Sequence, residues 1–257
     1  MKTFLRALSV LLLSSTIFAA RERSARAASF QVDPVLVNLS AKVTSSVLAI
    51  RNLADEPVRV QLSAHAWNQT PSGEVVLTPT RDIVFFPSLL TLAPHELRNI
   101  RLTAASELLA TTAVEKSYRI IVEELLPLVN ASTPSTAVRV ITKMSIPLFL
   151  QPAVLQPAAR VDHLQVAGAH ATFSVANAGS SHFLTRRVYL HVNAPDGTTL
   201  FDKAMGGWYV LARSWRVYDL DLPPTVCSRG ASITVEVETD QGRVVQRFTG
   251  LCTASGR

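Results

Sequence analysis

The chain has 257 residues, of which 48% are hydrophobic and 17% charged, and its formal net charge is +6. That length holds two domains of ordinary size, each with its own core. Much of the positive charge lies near the start: setting aside Lys2, Arg6, Arg21, Arg23, Arg26 and Glu22 takes the balance from 25 cations against 19 anions to 20 against 18. So even a remainder excludes the basic stripe that nucleic-acid binding needs.

Lys2 and Arg6 precede an apolar run from Leu8 to Ala20, and Ala25-Arg26-Ala27 offers small residues at a signal-peptidase spacing. The run is too short to span a bilayer, so residues 1–27 read as a secretory leader, cut after Ala27 or after Ala20. No later stretch is apolar and long enough to cross a membrane. The expectation is therefore a soluble mature protein without membrane insertion.

Past the leader, short strands recur at the spacing of an all-β fold. They are expected at Val47–Asn52, Val58–Trp67, Glu74–Thr78, Asn99–Thr103 and Tyr118–Leu125. Val58, Val60, Leu62, Ala64 and Ala66 alternate with Arg59, Gln61, Ser63, His65 and Trp67, the pattern of a half-buried strand. Only Ala104–Val114 has room for a turn or two of helix. After a polar loop at 129–136, Ala137–Leu150 reads as one long strand. It carries Val138, Val140, Thr142, Met144 and Ile146 on one face and Arg139, Ile141, Lys143 and Ser145 on the other.

Pro152 and Pro157 bracket a linker. Strands resume at Ala171–Ala176, Val188–Val192, Trp208–Leu211, Arg216–Leu220, Ile233–Glu238 and Val244–Phe248, with turns at Ala194–Gly197 and Asp240–Gly242. The fold expected is all-β: two immunoglobulin-like β-sandwich domains, at 29–150 and 158–257, joined by a short linker with a cleft between them. Cys227 and Cys252 are the only cysteines. An oxidising compartment makes a disulfide between them the default over two free thiols, stabilising by about 3–4 kcal/mol in the chain-entropy picture.

Motifs that carry chemistry are missing. The six histidines fall into no zinc-ligand spacing, and there is no nucleophile elbow and no phosphate-binding glycine loop. Glu123 and Glu124 are adjacent on a strand, so they point to opposite faces and cannot share a substrate. Neither an enzyme nor a cofactor nor a metal site is expected.

In order and spacing the segments resemble the PapD-like periplasmic chaperones of the chaperone–usher pilus pathway, across nearly the whole mature chain. The likeness is carried by Phe30-x-Val32-x-Pro34, by a second strand ending in Asn52, and by Val58-x-Val60 through Ala66-Trp67-x-Gln69. It continues in Thr80-x-Asp82-Ile83 with Pro87, Leu92-Ala93-Pro94, Ile100-Arg101, Tyr118-Arg119 through Glu124-Leu125, and Ile146-Pro147-Leu148-Phe149. His95 stands where the family usually has Gly. The first strand and the Tyr-Arg segment look more like the archaic branch. Members of the PapD branch hold a subunit's terminal carboxylate with an Arg and a Lys, whose places Leu36 and Ser145 occupy here. The cation is then expected from Lys143, with Arg119 or Arg101 as its partner.

The resemblance implies a periplasmic chaperone that binds pilus or fimbrial subunits and delivers them to an outer-membrane usher. An unfinished subunit exposes a sheet edge and a core groove, and both invite aggregation. A strand with apolar residues at every second position, here Val138, Val140, Thr142 and Met144, repairs both by donor-strand complementation. The competing reading is a structural or adhesive immunoglobulin-like subunit of a surface appendage.

Overall fold

The structure is a computed structural model that describes residues 30–126, 140–223, 226 and 232–249. The leader, Val138, Cys227 and Cys252 lie outside these residues. In chain order come strands β1 (Phe30–Asp33), β2 (Val37–Leu39), β3 (Ser45–Asn52), β4 (Val58–Gln69) and β5 (Val75–Pro79). Next are β6 (Ile83–Phe86), β7 (Leu89–Leu92), β8 (Leu97–Ala104), a short helix α1 (Ser106–Thr111), β9 (Lys116–Leu125) and β10 (Lys143–Leu150).

Alternation builds a sandwich from these strands. Phe30, Leu48, Ile50, Ile100 and Leu102 point inward from the sheet β1-β3-β8-β6. Val60, Leu62, Ile120, Val122, Leu148 and Leu150 point inward from the sheet β2-β10-β9-β4-β5, where β7 also pairs with β4. The first segment serves both layers: β1 pairs with β3, Pro34 interrupts the ladder, and β2 runs parallel to β10 in the opposite sheet.

The second half repeats the scheme with β11 (Ala159–Ala167), β12 (His170–Asn177), β13 (Phe183–Asn193), β14 (Thr199–Gly206), β15 (Tyr209–Val210), β16 (Trp215–Asp221), β17 (Ser232–Thr239) and β18 (Gly242–Thr249). The sheet β11-β12-β16 faces β14-β13-β17-β18, with β15 paired to β13. Phe173, Val175, Val188, Leu190, Val235 and Val237 fill a separate core. The chain is thus two β-sandwiches, as the strand spacing implies.

Besides β1 and β2, four strands escape the spacing pattern, each for a local reason. In β11 a register shift between Asp162 and Gln165, with His163 at φ 55°, breaks the alternation between Val161 and Leu164. The short β6 and β7 and the exposed edge strand β14 bury too little for a clear period. The long strand expected at 137–150 is also shorter at its start. The Thr142 amide donates to the side-chain carboxylate of Glu124 at 3.2 Å, and regular pairing begins only at Lys143 opposite Glu123.

Each sandwich is tied by a buried asparagine at the end of a strand, Asn52 of β3 and Asn177 of β12. The Asn52 side-chain amide donates to the carbonyls of Glu56, Leu92 and Ala93 at 2.8–3.2 Å, while its carbonyl accepts from Ala54 N. Asn177 does the same for Ser181 and Val210, and accepts from Gly179 N and Ala158 N. Removing either side chain leaves buried backbone carbonyls unpaired. Asn52→Ala and Asn177→Ala are each expected to lower unfolding free energy by about 2–4 kcal/mol in urea melts; a loss below about 1 kcal/mol would show that the loops they tie are held by other contacts.

His95 tests the departure from Gly more locally. It sits at φ 59°, and its exposed ring reaches Asp55 at 3.1 Å. The left-handed conformation is costly for a residue with a Cβ, and an exposed pair returns little. His95→Gly is expected to raise stability by about 0.5–1 kcal/mol in the same assay; a loss instead would assign the Asp55 contact the larger share.

Candidate functional site

β10 is hydrogen-bonded unequally on its two sides. Toward β9 it pairs in antiparallel register from Lys143 opposite Glu123 to Leu150 opposite Lys116. Toward β2 only Leu148–Leu150 pair, in parallel with Val37–Leu39. The Thr142 carbonyl accepts from Glu124 N, so even-numbered residues turn their backbone groups to β9 and odd-numbered ones turn theirs away. Lys143 and Ser145 therefore present their amides and the Lys143 carbonyl, with no partner among the described residues, on an edge that no other described strand covers; the Ser145 carbonyl on that edge is met only by a side chain. Pro147 closes this stretch without loss, because its nitrogen also faces the open side.

Side chains divide by the same parity. Ile146, Leu148 and Leu150 enter the first core, and Met144 is half-buried at its margin. Thr142 is intermediate and Val140 is 68% exposed, so the inward-facing row runs past the end of its own sandwich. On the outer face lie Lys143, Ser145, Pro147 and Phe149 of β10 beside Glu123, Ile121, Arg119 and Ser117 of β9. His65 and Trp67 of β4 continue that face.

Lys143 is exposed and its Nζ lies 3.5 Å from the Glu123 carboxylate, an ion pair across the strands. Arg119 is different. Its residue is only 7% exposed, its guanidinium stacks 3.7 Å from the Trp67 ring centroid, and it makes no ion pair among the described residues. Its Nη1 reaches the Ser145 carbonyl at 3.5 Å, the outer limit of a hydrogen bond, and its Nε has no protein partner. Burial pulls its pKa below the ordinary arginine value, and Tyr209 opposes that shift. Arg119 and Lys143 share a face, but Arg101 does not join them: Ile100 and Leu102 point into the core, which turns Arg101 to the outer face of the opposite sheet. Leu36, immediately before β2, brings no charge to the site.

The second domain closes over the end of this face. Phe149 stacks on His182 at 3.7 Å, Trp67 meets Tyr209 edge-on at 5.3 Å, and Leu211 fills the same cluster. Polar bonds hold the two domains in place. His182 donates from its backbone amide to the buried Glu115 carboxylate at 3.0 Å, and its Nδ1 lies 2.6 Å from the same oxygen. The Gln69 side chain donates to the Tyr209 carbonyl and accepts from Leu211 N. Glu115, His182 and Tyr209 carry no local sequence signal; chain folding alone unites them. The resemblance names Arg119, as one of two candidate partners of Lys143.

A cavity of about 380 Å³ opens on the other flank of Trp67, lined by Asn68, Asp82, Glu115, Tyr118, Arg213 and Ser214. Tyr118 donates to Asp82 at 2.8 Å there, and burial together with that bond pushes its pKa up. Among the described residues no cluster of His, Cys, Asp or Glu could hold a metal, and no helix is long and apolar enough to cross a membrane.

Residues 29–156 match the family described as pili and flagellar-assembly chaperone, PapD N-terminal domain. Solved structures of similar fold include a chain from the CsuC–CsuE chaperone–tip adhesion subunit pre-assembly complex of the archaic chaperone–usher Csu pili of Acinetobacter baumannii. It is 18% identical over 86% of this chain and 98% of that one, with a TM-score of 0.60. The class 5 fimbriae chaperone CfaA is 12% identical over 86% and 100%, at 0.57. The E. coli chaperone DraB is 19% identical over 88% and 97%, at 0.52. Such identities speak for the two-domain fold alone. No curated protein sequence matches the chain.

A buried cation that no carboxylate among the described residues pairs costs folding free energy, because burial strips its water and the Trp67 face returns only part of the loss. Arg119→Met keeps the shape and removes the charge. Its thermal midpoint is expected to equal or exceed that of the wild type, by up to about 1 kcal/mol of added stability; a loss above about 1 kcal/mol would make Arg119 a structural residue first.

Proposed function

We propose that this chain, which belongs through its first domain to the PapD-like family of pilus-assembly chaperones, caps unfinished pilus subunits along the open edge of β10 and hands them to an outer-membrane usher. Family and fold are those of non-enzymatic chaperones. The leader would deliver the protein to the periplasm, where Cys227 and Cys252 would close their disulfide. The departures at Leu36 and Ser145 favour the archaic branch, and the similarity in fold to the Csu complex accords with it.

The observation that carries this reading is the half-open edge of β10 with a buried Arg119, without an ion pair among the described residues, where the opening ends. A guest strand pairing with Lys143 and Ser145 runs out of room at Leu148, where β2 takes over the ladder. A chain terminus stopped there sits beside Arg119, and a terminal carboxylate is the group that would restore a charge-assisted bond to its guanidinium. Lys143, already paired with Glu123 and four residues back along the strand, is the weaker anchor. Val138, Val140, Thr142 and Met144 supply the alternate side chains that extend past the chaperone's own core into the guest's groove. The competing subunit role loses ground to membership of a chaperone family.

Co-expression with pilus subunits encoded beside this chain, followed by affinity recovery from periplasm, tests the proposal. Val140→Asp is expected to reduce subunit recovery about tenfold or more while the chaperone itself stays folded, since a charge would enter the apolar groove. Arg119→Met is expected to reduce recovery further than Lys143→Ala does. Undiminished recovery with Val140→Asp would remove β10 as the donor; a larger effect of Lys143→Ala would move the anchor to that lysine.

A further inference from the structure

Resting on the reading of Arg119 as the carboxylate anchor, we infer that Trp67 and Tyr209 form an aromatic cradle that positions its guanidinium, so that capture of the guest's terminus depends on both domains. In the usual arrangement a binding arginine is held in place by a carboxylate of its own protein. That arrangement fixes the side chain but spends part of its hydrogen-bonding capacity and cancels its charge. Here the support is the face of an indole 3.7 Å away, with the Tyr209 ring centroid at 5.9 Å from the same guanidinium carbon. A π face attracts the cation without occupying any N–H donor. The full charge stays available for a ligand, and so do the in-plane donors apart from the long Nη1 contact with the Ser145 carbonyl.

The cradle is itself rigid. Trp67 is 2% exposed and packed against Phe149 at 5.8 Å and Tyr209 at 5.3 Å. Tyr209 is fixed through its backbone by Gln69, which bonds both to its carbonyl and to Leu211 N. Trp67 and Gln69 belong to β4 of the first domain, whereas Tyr209 and Leu211 come from the second. The second domain therefore sets the position of a ring against which the first domain's anchor rests. That gives the smaller sandwich a role in recognition without any direct contact with the guest strand.

The test uses the full mature chain and two labelled synthetic peptides of alternating apolar residues, one ending in a free carboxylate and the other in a carboxamide. The measured quantity is the ratio of their affinities by fluorescence anisotropy. Wild-type protein is expected to prefer the acid about ten- to a hundredfold, the range of a charge-assisted bond. Trp67→Leu should shrink the preference to about threefold or less, and Trp67→Phe, which keeps a weaker π face, should restore most of it. Tyr209→Leu should lower it in the same direction, and serves if Trp67→Leu does not fold. An intact ratio in Trp67→Leu or Tyr209→Leu, whether or not both affinities fall together, would overturn the cradle and leave the anchor standing. Equal binding of the two peptides by the wild type would overturn the anchor itself.

Discussion

The function proposed for this molecule follows from the two unequal sides of β10. One side is saturated: an antiparallel ladder with β9 runs from Lys143 to Leu150 and fixes which residues face the core. The other is covered for three residues only, by β2. An uncovered strand edge is a hazard in a folded protein, because it templates association with any other free strand. In this chain the exposed stretch is short and is interrupted at its closed end by Pro147. A lysine stands at its open end. Those features blunt indiscriminate pairing while leaving enough backbone for a guest that brings its own matching strand.

The same strand is the hinge between folding and recognition. Its last residues, Leu148 and Leu150, are fully buried in the first core, and Phe149 between them points out into the aromatic cluster beneath the second domain. Moving toward the start of β10, burial falls from Ile146 through Met144 to Val140. A single run of alternating side chains thus passes from the chaperone's own interior to solvent, where another protein's interior can receive it. Arg119 lies on the outer face opposite Pro147, near the boundary between the covered and open lengths. Burying it without an ion pair among the described residues carries a cost, and in the proposed role the guest's terminal carboxylate relieves it.

Much of this was legible in the residues, and the exceptions are physical. Alternation such as that of Val58 to Ala66 locates central strands because one face must be dry. It fails for β11, where a bulge shifts the parity, and for β14, whose exposed faces leave no contrast to read. The start of β10 was placed too early because apolar periodicity continues through Val140 even though regular pairing has ended; the Glu124 side chain, not a backbone carbonyl, takes the next amide. The resemblance offers Arg119 and Arg101 as equal alternatives to partner Lys143. Only the sheet assignment separates them, since β8 and β9 lie in opposite layers. Trp67 was legible as a motif residue and not as a support for Arg119. Tyr209, Glu115 and His182 could not be found at all from local pattern, because their partners lie in the other domain.

The central claim is that the amides of Lys143 and Ser145 are unpaired in the free protein and become paired when a subunit is bound. Site-resolved hydrogen exchange on the two amides, with and without a co-purified subunit, measures this directly. The account predicts rapid exchange in the free chaperone and slowing by about a hundredfold or more in the complex, with the even-numbered amides of β10 protected in both. Amides of Lys143 and Ser145 that exchange equally fast with the subunit bound would contradict it.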